Sequence, residues 1–261
     1  MKILVLLKMV PDVVEELEVA PDGKGLDLEF LRMILSEPDD HALEEALILK
    51  ERYGGSVTVA ALDAPDVDDV LYTALAKGAD RVVKVADIEP GTTTRMAAAA
   101  LSGVLRESTG LLPADLILTG SQAIDDLDGL IAPLLAHSLE LPYVGIVTQV
   151  RADEAAKTAT VIKEYPGGVR GEFETPLPVV LGIQSAEKPP RYVPVAKVRA
   201  AMKSQPIETA GALTAADAGG PLAELVAMNK PMVTGAAEMI EGSPEDIAGR
   251  LCGIFAERGV L

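Results

Sequence analysis

Short apolar runs and longer amphipathic stretches alternate along the first half of the chain. Residues 3–7 (ILVLL) form an unbroken apolar run, and 57–62 and 116–119 come close to one. Residues 39–52 repeat their apolar positions at helical spacing instead. Ala42, Leu43, Ala46, Leu47 and Leu49 share a face, Glu44-Glu45 and Lys50-Glu51 turn outward, and Tyr53-Gly54-Gly55 stops the run. The same reading gives a strand at 81–85 and helices over 67–77, 92–106 and 129–139, with Thr92, Thr93 and Thr94 as candidate caps. Alternation at this spacing calls for parallel strands joined by crossover helices, and near-continuous apolar strands are those covered on both faces. The expected fold class is α/β, a doubly wound, mostly parallel sheet whose ligand site lies beyond the C-terminal strand ends.

After Leu141-Pro142 the pattern changes. Residues 146–151, 159–163, 171–174 and 179–183 read as strands with no helix between them, and Pro166-Gly167-Gly168 reads as a hairpin turn. A small antiparallel extension at the sheet edge is expected. Residues 185–231 are rich in Pro, Ala and Gly and cannot build a core alone; they read as a surface linker or as an arm docked on a partner. Ser243-Pro244-Glu245-Asp246 then opens a terminal helix with Ile247, Leu251, Ile254 and Phe255 on its apolar face. A partner subunit is the expected cover for that face. The division expected is an α/β domain over 1–185 and, over 186–261, a docking loop, a linker arm and the C-terminal helix.

Composition narrows the function. With 261 residues and 49% hydrophobic content, the chain can bury a large core. A net charge of −17 disfavours nucleic acid and anionic membrane surfaces. The single cysteine, Cys252, rules out an internal disulfide and a cysteine-ligated cluster, and the two histidines lie far apart, so no metal site is expected. MKILVLLKMVPD is too short for a signal segment, and no run reaches the roughly 20 residues of a membrane span, so a cytoplasmic protein without membrane insertion is expected.

No nucleophile pairs with His41 or His137, and no catalytic residue is assigned. His41 reads as a surface or capping residue in a first helical turn. Asp39-Asp40 and Asp125-Asp126 read as acids favoured at helix starts. No GxxxxGK[ST] is present and no GxGxxG follows the first strand, which disfavours nucleotide hydrolysis and ordinary dinucleotide binding. The strand ends remain. Leu6, Ser36, Glu37, Pro38, Asp39, Leu62 and the stretch from Gly120 to Ile131 fall at strand C-termini or helix starts, which converge in a doubly wound sheet. The amides of Gly129, Leu130 and Ile131 would open a helix toward an anion. Yet this turn carries Asp125, Asp126 and Asp128.

Seven segments in order resemble the β subunit of electron transfer flavoproteins, the family that includes FixA: KILVLLKMVPD, SEPDDHALEEALILKERYGG, TALAKGADRVV, GSQAID, PLPVVLGI, PPRYVP and EGSPEDIAGRL. The resemblance runs over essentially the whole chain. It implies a Rossmann-like, adenine-nucleotide-binding domain that acts as an electron carrier, with no catalysis of its own. An α subunit would carry most contacts to a redox-active FAD. The β subunit would hold AMP or, in a bifurcating branch, a second FAD. A dehydrogenase would donate electrons, and a quinone reductase or other acceptor would receive them. A nucleotide-binding regulatory module is the alternative from another class.

The cofactor positions the resemblance implies are Leu6, Ser36, Glu37, Pro38, Asp39, Leu62, Gly120, Ser121, Gln122, Ala123, Ile124, Asp125, Asp128, Gly129, Leu130 and Ile131. Ser36 stands where the family often has Asn, and Ser121 where it often has Arg or Lys. Asp126-Leu127-Asp128 replaces a frequent Gly-Asp-Thr. A carboxylate about 4 Å from a phosphate costs roughly 4 kcal/mol at an effective dielectric near 20. Two readings follow for Asp128: it caps the helix amides itself, or it turns to solvent and the nucleotide still binds through the backbone. Pro190, Arg191, Tyr192 and Val195 correspond to a loop that docks on the dehydrogenase. Val195 replaces a leucine and the run after it has lost positive charge, which points to a partner other than the common acyl-CoA dehydrogenase. Lys163 and Glu164 match a pair near the subunit boundary, or form an ordinary surface hairpin pair.

Overall fold

The structure is a computed structural model that describes residues 1–29, 31–86, 92–107, 110–126, 129–211, 225–232, 235 and 237–260. The chain opens with β1 (Lys2–Leu7) and a short antiparallel pair, β2 (Met9–Pro11) with β3 (Met33–Leu35). Then come α1 (Glu37–Tyr53), β4 (Ser56–Leu62), α2 (Val67–Lys77), β5 (Arg81–Ala86), α3 (Thr94–Glu107), β6 (Leu116–Gly120) and α4 (Ile131–Leu139). A strand-rich stretch follows: β7 (Tyr143–Asp153), β8 (Thr158–Tyr165), β9 (Val169–Pro176) and β10 (Val179–Ile183). The chain ends with α5 (Val195–Ser204), β11 (Glu208–Gly211) and α6 (Pro244–Glu257).

Nine strands form one sheet in the order β11-β5-β4-β1-β6-β10-β7-β8-β9. Every pair from β11 through β7 is parallel, and β8 and β9 add an antiparallel edge. The alternating faces of β1 explain its unbroken apolar run. Ile3, Val5 and Leu7 pack on one side with Leu43, Leu47 and Leu71 of α1 and α2. Leu4 and Leu6 pack on the other with Leu101, Leu105 and Leu135 of α3 and α4. Each leucine buried this way stabilises the fold by about 2 kcal/mol, so both faces are needed.

Local chemistry sets the element ends. Ser36 precedes α1 and Pro38 sits in its first turn, where a missing amide costs nothing. Thr93 Oγ1 accepts the Met96 amide at 3.4 Å at the start of α3. Ser243 and Asp246 form a reciprocal capping box at α6. Gly129 has φ +61, a left-handed conformation that cannot lie inside a helix, so α4 opens with Leu130 as its cap rather than at residue 129.

Two features of topology differ from expectation. β10 does not belong to the antiparallel extension; it lies inside the parallel sheet between β6 and β7. The segment after residue 185 is not wholly linker. Its β11 pairs in parallel with β5, and Arg81 grips Glu208 through Nε at 2.7 Å and Nη2 at 2.6 Å. α5 packs on α2, with Ala201 against the core. The hairpin at Pro166–Gly168 is present, and α6 carries no buried residue.

Candidate functional site

From β1 the chain winds outward to β4 and β5 on one side, and β6 lies on the other. This is the switch point of a doubly wound sheet, where a crevice opens beyond the strand ends. An open cleft of about 420 Å³ lies there. Leu6, Leu62 and Leu101 give it apolar walls, while Thr119, Gly120 and Ser121 continue from the end of β6.

Asp39, in the first turn of α1, joins the two strands that frame the cleft. Its Oδ1 accepts the Gly120 amide at 2.6 Å and its Oδ2 the Lys8 amide at 3.2 Å. A Cβ at position 120 would lie 2.9 Å from both Asp39 Oδ1 and Pro38 Cβ, so the close approach of α1 to β6 requires glycine there. Asp39 is 5% exposed. Burial raises its pKa from 3.8 to about 6, against the opposing pull of the two amides and the Lys8 charge. The buried Ser36 hydroxyl lies beside it without a hydrogen bond of good geometry.

Lys8 Nζ pairs with Asp125 Oδ1 at 2.6 Å, closing a bridge from the end of β1 to the turn after β6. That turn is held by the Asp126 amide on Ala123 O at 3.1 Å and by Gln122 Nε2 on Asp126 O at 2.9 Å. Ser121 Oγ donates to Gln184 Oε1 at 2.7 Å, and its amide donates to Ile183 O at 2.8 Å. Gly129 is also constrained, since a Cβ would lie 2.5 Å from Ser121 O. Pro133 in the first turn of α4 has no amide, leaving fewer donors at that helix start than usual.

Of the residues expected at the cleft, Leu6, Asp39, Leu62, Gly120, Ser121, Gln122, Ala123, Gly129 and Ile131 line it. Ser36, Glu37 and Pro38, at the start of α1, are not among the residues that line it. Ile124 is exposed, Asp125 meets the cleft through Lys8, and Leu130 caps α4. Leu127 and Asp128 lie outside the described residues, and with them the expected self-capping. Asp126, within the expected stretch from Gly120 to Ile131, lines the cleft as well, whereas sequence reasoning passed over Leu7, Lys8, Leu101 and Thr119. The signal for Lys8 was present: a cation ending an apolar strand at the switch point faces the crevice. Among the described residues, no cluster of three or more His, Cys, Asp or Glu side chains could hold a metal.

The family model of the electron transfer flavoprotein domain matches residues 28–215. The electron transfer flavoprotein subunit beta of Methylophilus methylotrophus is 31% identical over 98% of this chain and 98% of its own. The subunit of the same name from Clostridium acetobutylicum is 34% identical over 76% of this chain and 74% of its own. Protein FixA of Azotobacter vinelandii is 35% identical over 68% of this chain and 63% of its own. The chain belongs to the electron transfer flavoprotein β-subunit family. That membership makes it an electron-transfer component of the flavoprotein type. Among the described residues no helix is long and apolar enough to cross a membrane.

In this family member a second polar centre lies further along α1. Glu44 Oε1 and Oε2 accept from Arg191 Nε at 3.0 Å, Oε1 also accepts Nη2 at 2.8 Å, and Oε2 accepts the Arg191 amide at 2.9 Å. Arg191 Nη1 reaches Glu51 at 2.6 Å. Those carboxylates hold the guanidinium pKa above its ordinary value. Glu45 accepts the amides of Val150 and Glu187 at 3.0 and 2.9 Å, and burial raises its pKa. His41 is not a cap; its Nδ1 accepts the Ala186 amide at 3.2 Å. α1 thus straps down residues 186–191. Beyond the strap Tyr192 is 84% exposed and Val195, opening α5, is 61% exposed, with Pro190 half-buried before them. Lys163 stacks its ammonium 5.5 Å from the Tyr165 ring, and Glu164 pairs with Arg170 at 2.8 Å, both within the β8–β9 hairpin.

Proposed function

We propose that this chain is the β subunit of a heterodimeric electron transfer flavoprotein. It takes electrons from a dehydrogenase and passes them to a quinone reductase or other acceptor. The observation that carries this reading is the cleft at the β1/β6 switch point, in a chain aligned end to end with a β subunit. The donor set suits an adenine nucleotide. Leu6, Leu62 and Leu101 form apolar walls for a flat base, and Thr119, Gly120 and Ser121 present polar groups at one end. FAD, held mainly by the α subunit, supplies the redox chemistry when bound. The residues of this chain bind, orient and exclude water.

The remaining parts have roles in the same reading. The apolar face of α6, with Leu251, Ile254 and Phe255 exposed, is the α-subunit contact of the C-terminal portion 186–261. Tyr192 and Val195 meet the donor, and Arg191 holds them in place. Lys163 and Glu164 sit on the hairpin near the subunit boundary. The protein works in the cytoplasm.

The test is to purify the complex with its natural α partner, release bound small molecules by heat and identify them by absorbance and mass. One FAD plus one AMP per heterodimer is the expected result. Two FAD would assign the cleft to a bifurcating variant. FAD with no second nucleotide would overturn the nucleotide role of the cleft, and failure to bind any α subunit would favour a regulatory module.

A further inference from the structure

Lys8 is the only cationic side chain among the described residues lining the cleft, whose lining also includes Asp39 and Asp126. Its backbone is fixed on both sides, with the amide donating to Asp39 Oδ2 at 3.2 Å and the carbonyl accepting the Ser36 amide at 3.0 Å. Only the side chain is free to change partner. That partner is Asp125, and the two side chains are 24% and 34% exposed. Ligand and water can therefore reach the pair.

We propose that Lys8 is the phosphate-holding side chain of this cleft and that Asp125 is its built-in competitor. An adenine nucleotide binds when its phosphate displaces the Asp125 carboxylate from the Lys8 ammonium. The inference rests on the nucleotide reading above and deepens it. A carboxylate and a phosphate present similar oxygens to an ammonium, and the phosphate carries more charge. A partly exposed ion pair is weak enough to be exchanged. Asp125 lies on the turn after β6 and returns to water when released, so the exchange need not disturb the sheet. The turn's negative charge becomes a filter. Ligands without a phosphate leave the Lys8–Asp125 bridge closed and gain nothing from Lys8.

The experiment measures AMP and adenosine dissociation constants by equilibrium dialysis on the heterodimer after its exchangeable nucleotide has been removed. Lys8→Gln should weaken AMP about tenfold or more and leave adenosine within about twofold. Asp125→Asn should tighten AMP about fivefold, again without moving adenosine. Lys8→Arg keeps the charge and should keep most of the AMP affinity, which separates loss of charge from loss of fold. If AMP and adenosine shift together, or if Asp125→Asn weakens AMP as Lys8→Gln does, the bridge is a structural latch and the proposal falls. Wild-type complex that binds AMP, with both variants unchanged, overturns this inference alone. Wild-type complex that binds neither ligand overturns the nucleotide reading and this inference with it.

Discussion

Two buried carboxylates on α1 sit in contrasting company. Glu44 is 3% exposed and receives a forked guanidinium plus a backbone amide from Arg191. Asp39 is 5% exposed, and the hydrogen bonds made to its carboxylate come from the amides of Gly120 and Lys8. The Lys8 ammonium has gone to Asp125 instead. Burial is nearly equal, yet the outcomes differ. A guanidinium cancels the charge it meets, so the Glu44 clamp is permanent. Amides offset desolvation only in part, so Asp39 is left with a pKa near the physiological range, at about 6. α1 therefore grips residues 186–191 firmly at one place and holds a titrating group against the cleft at another.

Removing the cation should have the largest effect. Arg191→Ala strands Glu44 in the interior and should destabilise the chain by about 3 kcal/mol, toward the lower end for a broken buried pair because the guanidinium is partly open to water. Arg191→Lys should recover only part, since an ammonium cannot match the fork. Urea unfolding measures both. A loss under about 1 kcal/mol for Arg191→Ala would put Glu44 in the class of surface ion pairs and erase the contrast.

Asp39 should differ in kind, through pH. Its folded pKa is raised from 3.8 to about 6, so between those values the folded chain binds more protons than the unfolded one. The contribution of Asp39 to stability therefore falls as pH rises through that window, by up to about 3 kcal/mol, and is flat above it. Asp39→Asn cannot ionise. At pH 4 it should be less stable than wild type by about 1 kcal/mol, because its NH₂ group faces a backbone amide. That deficit should shrink or reverse by pH 7. Unfolding curves of both proteins across pH 4–7 give the difference directly, and a pH-independent difference would mean that Asp39 keeps an ordinary pKa.

The same contrast explains what could be read from the chain. Helix α2 was legible to the residue, Val67–Lys77, because its apolar period and the stop at Gly78 agree. The bounds of β10 were equally plain, but its place was not. A fully buried strand looks the same whether its neighbours run parallel or antiparallel, and only tertiary pairing put it between β6 and β7. β11 (Glu208–Gly211) is short and half-polar, as an edge strand can be, and left almost no trace in the pattern. The strand ends at the cleft followed from topology. The partners did not: Asp39 meets Gly120 across 81 positions and Glu44 meets Arg191 across 147, distances no local pattern spans.

The smallest expected effect sharpens the division between holding and presenting. Val195 follows the strap and stands 61% exposed at the start of α5. Val195→Leu adds one methylene to a side chain that buries little in this chain, so stability should stay within about 0.5 kcal/mol of wild type. If Val195 enters a pocket on the electron donor, the added methylene is worth up to about 0.8 kcal/mol, or roughly fourfold in the KM for that donor, with kcat unchanged. A pocket shaped for valine would reverse the sign, because overpacking also costs. Either shift in KM without a change in unfolding would mark Val195 as a presented residue. An unchanged KM would overturn the docking role proposed for Val195 and turn the same test to Tyr192, exposed beyond the Arg191 clamp.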